Sequence, residues 1–142
     1  MENKLNILIN SDDKSAYSEL LELETICTES NELYNYFDTL LGLLRKDNLF
    51  LRVRGFRLIC SLAKWDKDNK INDNIDYILD TLNDDNGVCI RQCLLRLNLI
   101  LLYKPELSNK IENKLNNMDL SIYKESMSSL IKRDIKKIIE SI

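Results

Sequence analysis

Arginine supplies most of the chemistry this chain can offer, and all seven arginines lie at or after Arg45. At 100° per residue, Arg52 falls within the apolar arc of Phe56, Ile59 and Ala63, whereas Arg54, Arg57, Ser61 and Lys64 form a polar stripe about 80° wide. An arginine on a packed face needs a carboxylate or carbonyl partner. The acidic turns at Asp47, Asp84 and Asp85 are the natural partners for Arg52 and Arg91, as structural bonds between stacked helix pairs. The polar stripe is free to face solvent, and Arg96 repeats the position of Arg57. Together Arg54, Arg57, Lys64 and Arg96 make a candidate partner-binding ladder, whose chemistry is recognition of an acidic peptide, an acidic protein surface or a phosphate backbone. An ordinary solvated face is the plainer alternative.

Catalytic chemistry has less to work with. The chain has no histidine, which removes the commonest general base and every histidine-assisted nucleophile. Its carboxylates sit in caps or along polar faces, and Gly42, Gly55 and Gly87 are too scattered to form a phosphate-cradling loop. Cys27, Cys60, Cys89 and Cys93 include no Cys-x-x-Cys and lie in apolar helical stretches, so they are expected as buried free thiols. Cys89 and Cys93 stand one helical turn apart but lack further ligands. The expectation is no enzyme, no cofactor and no metal. Trp65, at the end of the polar stripe, is expected to pack against the following helix pair.

The elements that must position these residues are helices. The 142 residues are 44% hydrophobic and 30% charged, with three glycines and one proline, a composition that fits neither disorder nor a turn-rich sandwich. Ala16, Leu20, Leu23 and Cys27 give a helix over about 13–28 after the Asp12–Asp13 cap, preceded by a short helix or extended arm at Leu5–Ile9. Leu33, Phe37, Leu40 and Leu44 mark the next helix, and a third runs from Asp47–Asn48 to about Lys64. Ile75, Ile78 and Leu82 carry a fourth. After the Asp85-Asn86-Gly87 turn, Val88–Tyr103 is apolar on most of its circumference, which predicts a helix covered on both sides. Pro105 opens another helix, and Ser121–Ile142 forms one long helix or two. About seven helices in a single domain, 1–142, are expected.

Net charge is −3, but residues 1–44 carry nine acidic against two basic side chains, while 45–142 carry fourteen against eighteen. The two halves face different partners or each other. The longest apolar run, Leu99–Tyr103, is far below the roughly 20 residues of a membrane span, and no secretory leader is evident; a cytoplasmic protein without a membrane partner is expected. Abundant Asn, Lys and Ile favour a bacterial source of low GC content.

A shift of 39 residues lays Leu49-Phe50-Leu51-Arg52 over Val88-Cys89-Ile90-Arg91 and Arg57 over Arg96, each segment following an acidic turn. With Asp85 preceding Ile90-Arg91, and Asp47 preceding Leu51-Arg52, residues 31–131 resemble the HEAT-repeat family. The chain also looks like small uncharacterised bacterial HEAT-like proteins in its Arg54-Gly55, Trp65-Asp66, Lys104-Pro105-Glu106-Leu107 and Arg133-Asp134-Ile135 segments. The resemblance implies an all-α fold, a short right-handed α-solenoid of antiparallel helix pairs whose second helices line a concave surface. A scaffold or adaptor module binding an unidentified, acidic protein partner there is the leading expectation. Contact with a nucleic-acid backbone, resembling the DNA alkylation repeat proteins, is the alternative.

Overall fold

Local chemistry sets where the helices start. The computed structural model describes residues 1–142 and contains nine α-helices, five 3₁₀ turns and no strand. Helix α1 (Glu2–Asn10) precedes α2 (Asp13–Cys27), and a 3₁₀ turn over Glu32–Tyr36 feeds α3 (Phe37–Leu43), which folds back into α4 (Leu49–Ser61). Two short helices follow, α5 (Lys70–Asp73) and α6 (Ile75–Leu79), then the long α7 (Gly87–Tyr103), α8 (Ser108–Asn116) and α9 (Glu125–Glu140). Asp12, Asn48 and Asn86 accept backbone N–H bonds from Ser15, Phe50 and Cys89, so α2, α4 and α7 each begin on a side-chain cap. The expected fourth helix is broken in two at Asn74, whose side-chain amide donates to the Lys70 carbonyl and competes with the helical ladder. Of the short helix or extended arm expected at Leu5–Ile9, the helix is found, over Glu2–Asn10, and residues 125–140 form a single one.

The longer helices pack in chain order: α2 on α4, α4 on α7, and α7 on α9, while α1 lies on α2 and α3 on α4. Side-chain bonds between elements recur at a reach of 32 to 43 residues along the chain. Tyr34 donates to Asp66 and Arg45 to the Tyr77 carbonyl, both 32 residues on. The Trp65 indole N–H donates back to Cys27, and the Lys104 ammonium back to Asp66, each across 38 residues. The Trp65 indole thus ties to a carbonyl at the end of the preceding α2, while the 3₁₀ turn over Ala63–Trp65 lies against the following α7. A single cluster of 34 buried apolar residues runs from Leu5 to Ile135, so no helix pair has a core of its own. All four cysteines are buried and unpaired, and no helix is long and apolar enough to cross a membrane.

Two sequence segments of the resemblance, Trp65-Asp66 and Lys104-Pro105, meet in this core. The Asp66 carboxylate accepts the Tyr34 hydroxyl at 2.6 Å and the backbone N–H groups of Lys70 and Ile71 at 2.9 Å, and it pairs with Lys104 Nζ at 3.2 Å. Lys104 Nζ also donates to Asn69 Oδ1 at 2.7 Å, on a residue in the left-handed conformation. Burial alone would raise the Asp66 pKa, but the bonds from Tyr34, Ile71, Lys70 and Lys104 outweigh it and hold the group below its ordinary 3.8.

Because that pKa is depressed in the fold, the contribution of Asp66 is present above its unfolded value and lost as pH falls through its lowered folded value. Urea denaturation across the acid range should show stability falling below about pH 4, with a shallower acid limb in Asp66→Asn. Gly55 gives a second expectation: an added Cβ would stand 2.9 Å from the Leu43 side chain and 3.0 Å from the Leu40 carbonyl, whereas one on Gly42 meets nothing. Gly55→Ala should therefore cost about 1–3 kcal/mol, and Gly42→Ala should gain about 0.5–1 kcal/mol, both read from denaturation midpoints.

Candidate functional site

The three arginines and one lysine of the expected ladder, Arg54, Arg57, Arg96 and Lys64, do not share one fate. Arg54 and Arg57 are only 5% and 4% exposed. Arg54 donates to the Leu8 carbonyl at 3.3 Å and to Asp13 at 3.1 Å, beneath α1 and the start of α2. Arg57 donates through Nε and Nη2 to the two oxygens of Glu24, at 3.1 and 2.7 Å, and through Nη1 to Gln92 at 3.2 Å. The expectation of a solvent-facing stripe is corrected here. Helical geometry places residues on one side of α4, but α2 and α7 cover that side, and α2 brings the carboxylate that makes an arginine tolerable there.

Arg96 joins the same node, its Nε donating to Glu24 Oε2 at 3.1 Å across 72 residues. Lys64 is exposed, and its ammonium donates to the Thr28 carbonyl at 2.6 Å. The two residues expected as rungs of a ladder, Arg57 and Arg96, therefore converge on one carboxylate that ties α2, α4 and α7 together. Burial opposes the charge on Arg57, yet the Glu24 bonds prevail and raise its pKa.

Arg52, expected on the packed face, is part-buried and reaches Asp84 at 2.6 and 3.2 Å, while its Nη1 donates to the Lys46 and Asp47 carbonyls at 2.7 and 2.9 Å. Asp47 takes part through its backbone, and Asp85 makes no ion pair. Burial would raise the Asp84 pKa, but bonds from Arg52 and the Asn86 N–H hold it below its ordinary 3.8. Arg91 bonds neither turn acid. Its partner is Asp134 on α9, at 2.7 and 3.3 Å, since the guanidinium on the second turn of α7 points toward the last helix rather than back to the turn.

Around this charged frame the face made by α2, α4, α7 and α9 has two grooves. One, of about 450 Å³, is bordered by Glu24, Cys27, Lys64, Arg96 and Tyr103. The other, of about 570 Å³, lies between α7 and α9 and is bordered by Arg91, Met127, Asp134, Lys137 and Ile138. Leu95 and Asn98 border both, so α7 is the ridge between them. Along that ridge Val88, Leu95 and Leu102 are 58%, 67% and 65% exposed, a correction to the expectation that α7 is covered on both sides. Its neighbours α4 and α9 leave one strip open. Sequence reading missed this strip because an all-round apolar helix reads as buried, although the spacing of seven was visible. It missed Glu24 for want of any local signature: the partners lie 33 and 72 residues away.

Burial, with a smaller push from Glu24, raises the Cys27 thiol to about 12, so the sulfur at the groove wall stays protonated at neutral pH. No three of the Cys, Asp and Glu side chains gather as a metal site. Lys64 and Lys137 have no carboxylate partner, and Glu24 is shared between two arginines, so the face carries net positive charge in a net negative chain.

Glu24→Ala should lower stability by about 3–5 kcal/mol, because it strands a buried arginine. Lys64→Ala should stay within about 0.5 kcal/mol of the parent. Arg57→Ala and Arg96→Ala should combine non-additively, as they share one acceptor. Chemical denaturation of the four variants and the double mutant checks each outcome. No protein-family model, curated protein or solved structure matches the chain.

Proposed function

We propose that the chain is a short right-handed α-solenoid of HEAT-like helix pairs, acting in the cytoplasm as a non-catalytic interaction module. It docks an acidic protein surface or peptide on the face of its second helices, α2, α4, α7 and α9. The observation that carries this reading is the ridge of Val88, Leu95 and Leu102, three large apolar side chains more than half exposed between two grooves edged by cations. Of the ladder residues, Lys64 and Arg96 border that face, Arg57 anchors Glu24 at its edge, and Arg54 is buried away from it beneath α1. The solenoid reading is supported by the recurrence of bonds at 32 to 43 residues, such as Arg52 to Asp84 and Arg91 to Asp134. Four unpaired thiols suit a reducing compartment.

A second reading, contact with a nucleic-acid backbone, draws on the exposed Lys132, Arg133, Lys136 and Lys137 of α9. The apolar ridge favours protein, since phosphate contacts gain nothing from exposed leucines. Affinity capture from a lysate of the source organism, with and without nuclease, separates the two. A protein partner retained through nuclease treatment and lost with Leu95→Glu is expected; recovery that collapses on nuclease treatment would favour the second reading.

A further inference from the structure

We infer that the occupant of this face is a single amphipathic α-helix of about four turns, apolar on one side and acidic on its flanks. The inference rests on the interaction reading above and specifies its partner.

Val88, Leu95 and Leu102 are seven residues apart in one helix, so they form a nearly straight seam. At a rise of about 1.5 Å per residue the seam is about 21 Å long. A heptad seam is what a second helix follows when it crosses at about 20°, with its side chains set into the hollows beside the seam. Those hollows are the two grooves, which run on either side of Leu95.

Hydrogen bonding separates a helix from an extended peptide. An extended segment needs partners for its backbone N–H and C=O groups, whereas a helix satisfies its own. The polar side chains of this face are already engaged: Glu24 with Arg57 and Arg96, Gln92 with Arg57, and Asp134 with Arg91. Asn98 is left as an exposed amide.

Charge then selects the flanks. Lys64 on one side of the ridge and Lys137 on the other have no carboxylate partner, whereas Arg96 and Arg91 are paired with Glu24 and Asp134. A second copy of this chain docking through the same face would bring the same two unpaired cations, so self-association is disfavoured and an acidic helix is favoured.

The test uses the full chain and a labelled 18-residue peptide with blocked ends, bearing Leu at heptad positions a and d, Glu at e and g, and Ala elsewhere. Fluorescence anisotropy and circular dichroism should show binding with a gain of peptide helicity. Leu95→Glu and, separately, Leu102→Glu should weaken it by more than about tenfold while leaving the protein's melting curve unchanged. Two further peptides, one with two central prolines and one with Lys in place of Glu, should bind more than about tenfold more weakly. Equal binding by the proline peptide overturns the helix and leaves the acidic-partner reading intact. Equal binding by the Lys peptide overturns both. Failure of every peptide to bind overturns the helix, as does sedimentation showing a dimer that Leu95→Glu dissolves.

Discussion

One carboxylate ties three of the helices together. Glu24 on α2 receives Arg57 from α4 and Arg96 from α7, so a single acidic group links three helices that are successive in space but spread over 72 residues of chain. A guanidinium as buried as Arg57 is tolerable only with such a partner, because the cost of removing its charge from water is offset by ionic hydrogen bonds of good geometry. The placement of α2 against α4 and α7 is therefore constrained by charge as well as by the apolar core beneath.

The uneven charge of the chain follows from the same constraint. The first 44 residues hold an excess of acid, and three of their carboxylates pair with cations of the later segment: Asp13 with Arg54, Glu24 with Arg57 and Arg96, Asp38 with Lys70. The segments that carry the HEAT-like resemblance are likewise contact points between neighbouring helices. Gly55 admits the Leu40 carbonyl, Asp66 meets Lys104, and Asp134 meets Arg91.

This arrangement divides labour on one face. Charged residues that a helical wheel assigns to a binding stripe serve as internal fasteners, and apolar residues that it assigns to a core stand in the open. The outcome is physically coherent: fasteners need burial to hold against water, and the exposed apolar strip is the surface whose removal from water would drive the proposed association.

The sequence by itself determined the all-helical fold class and most helix limits, since the period of apolar residues, the caps at Asp12, Asn48 and Asn86 and the punctuation near Gly87 and Pro105 act within a few neighbours. It also marked Arg52 and Arg91 as residues needing an acidic partner, though it could name the partner's type and not, for Arg91, its address on α9. Only the tertiary structure decided which side of each helix is covered. Burial of Arg57 and exposure of Leu95 depend on whether another helix lies alongside, and that is set by contacts between residues 30 to 70 positions apart. A helix's own periodicity carries no record of them.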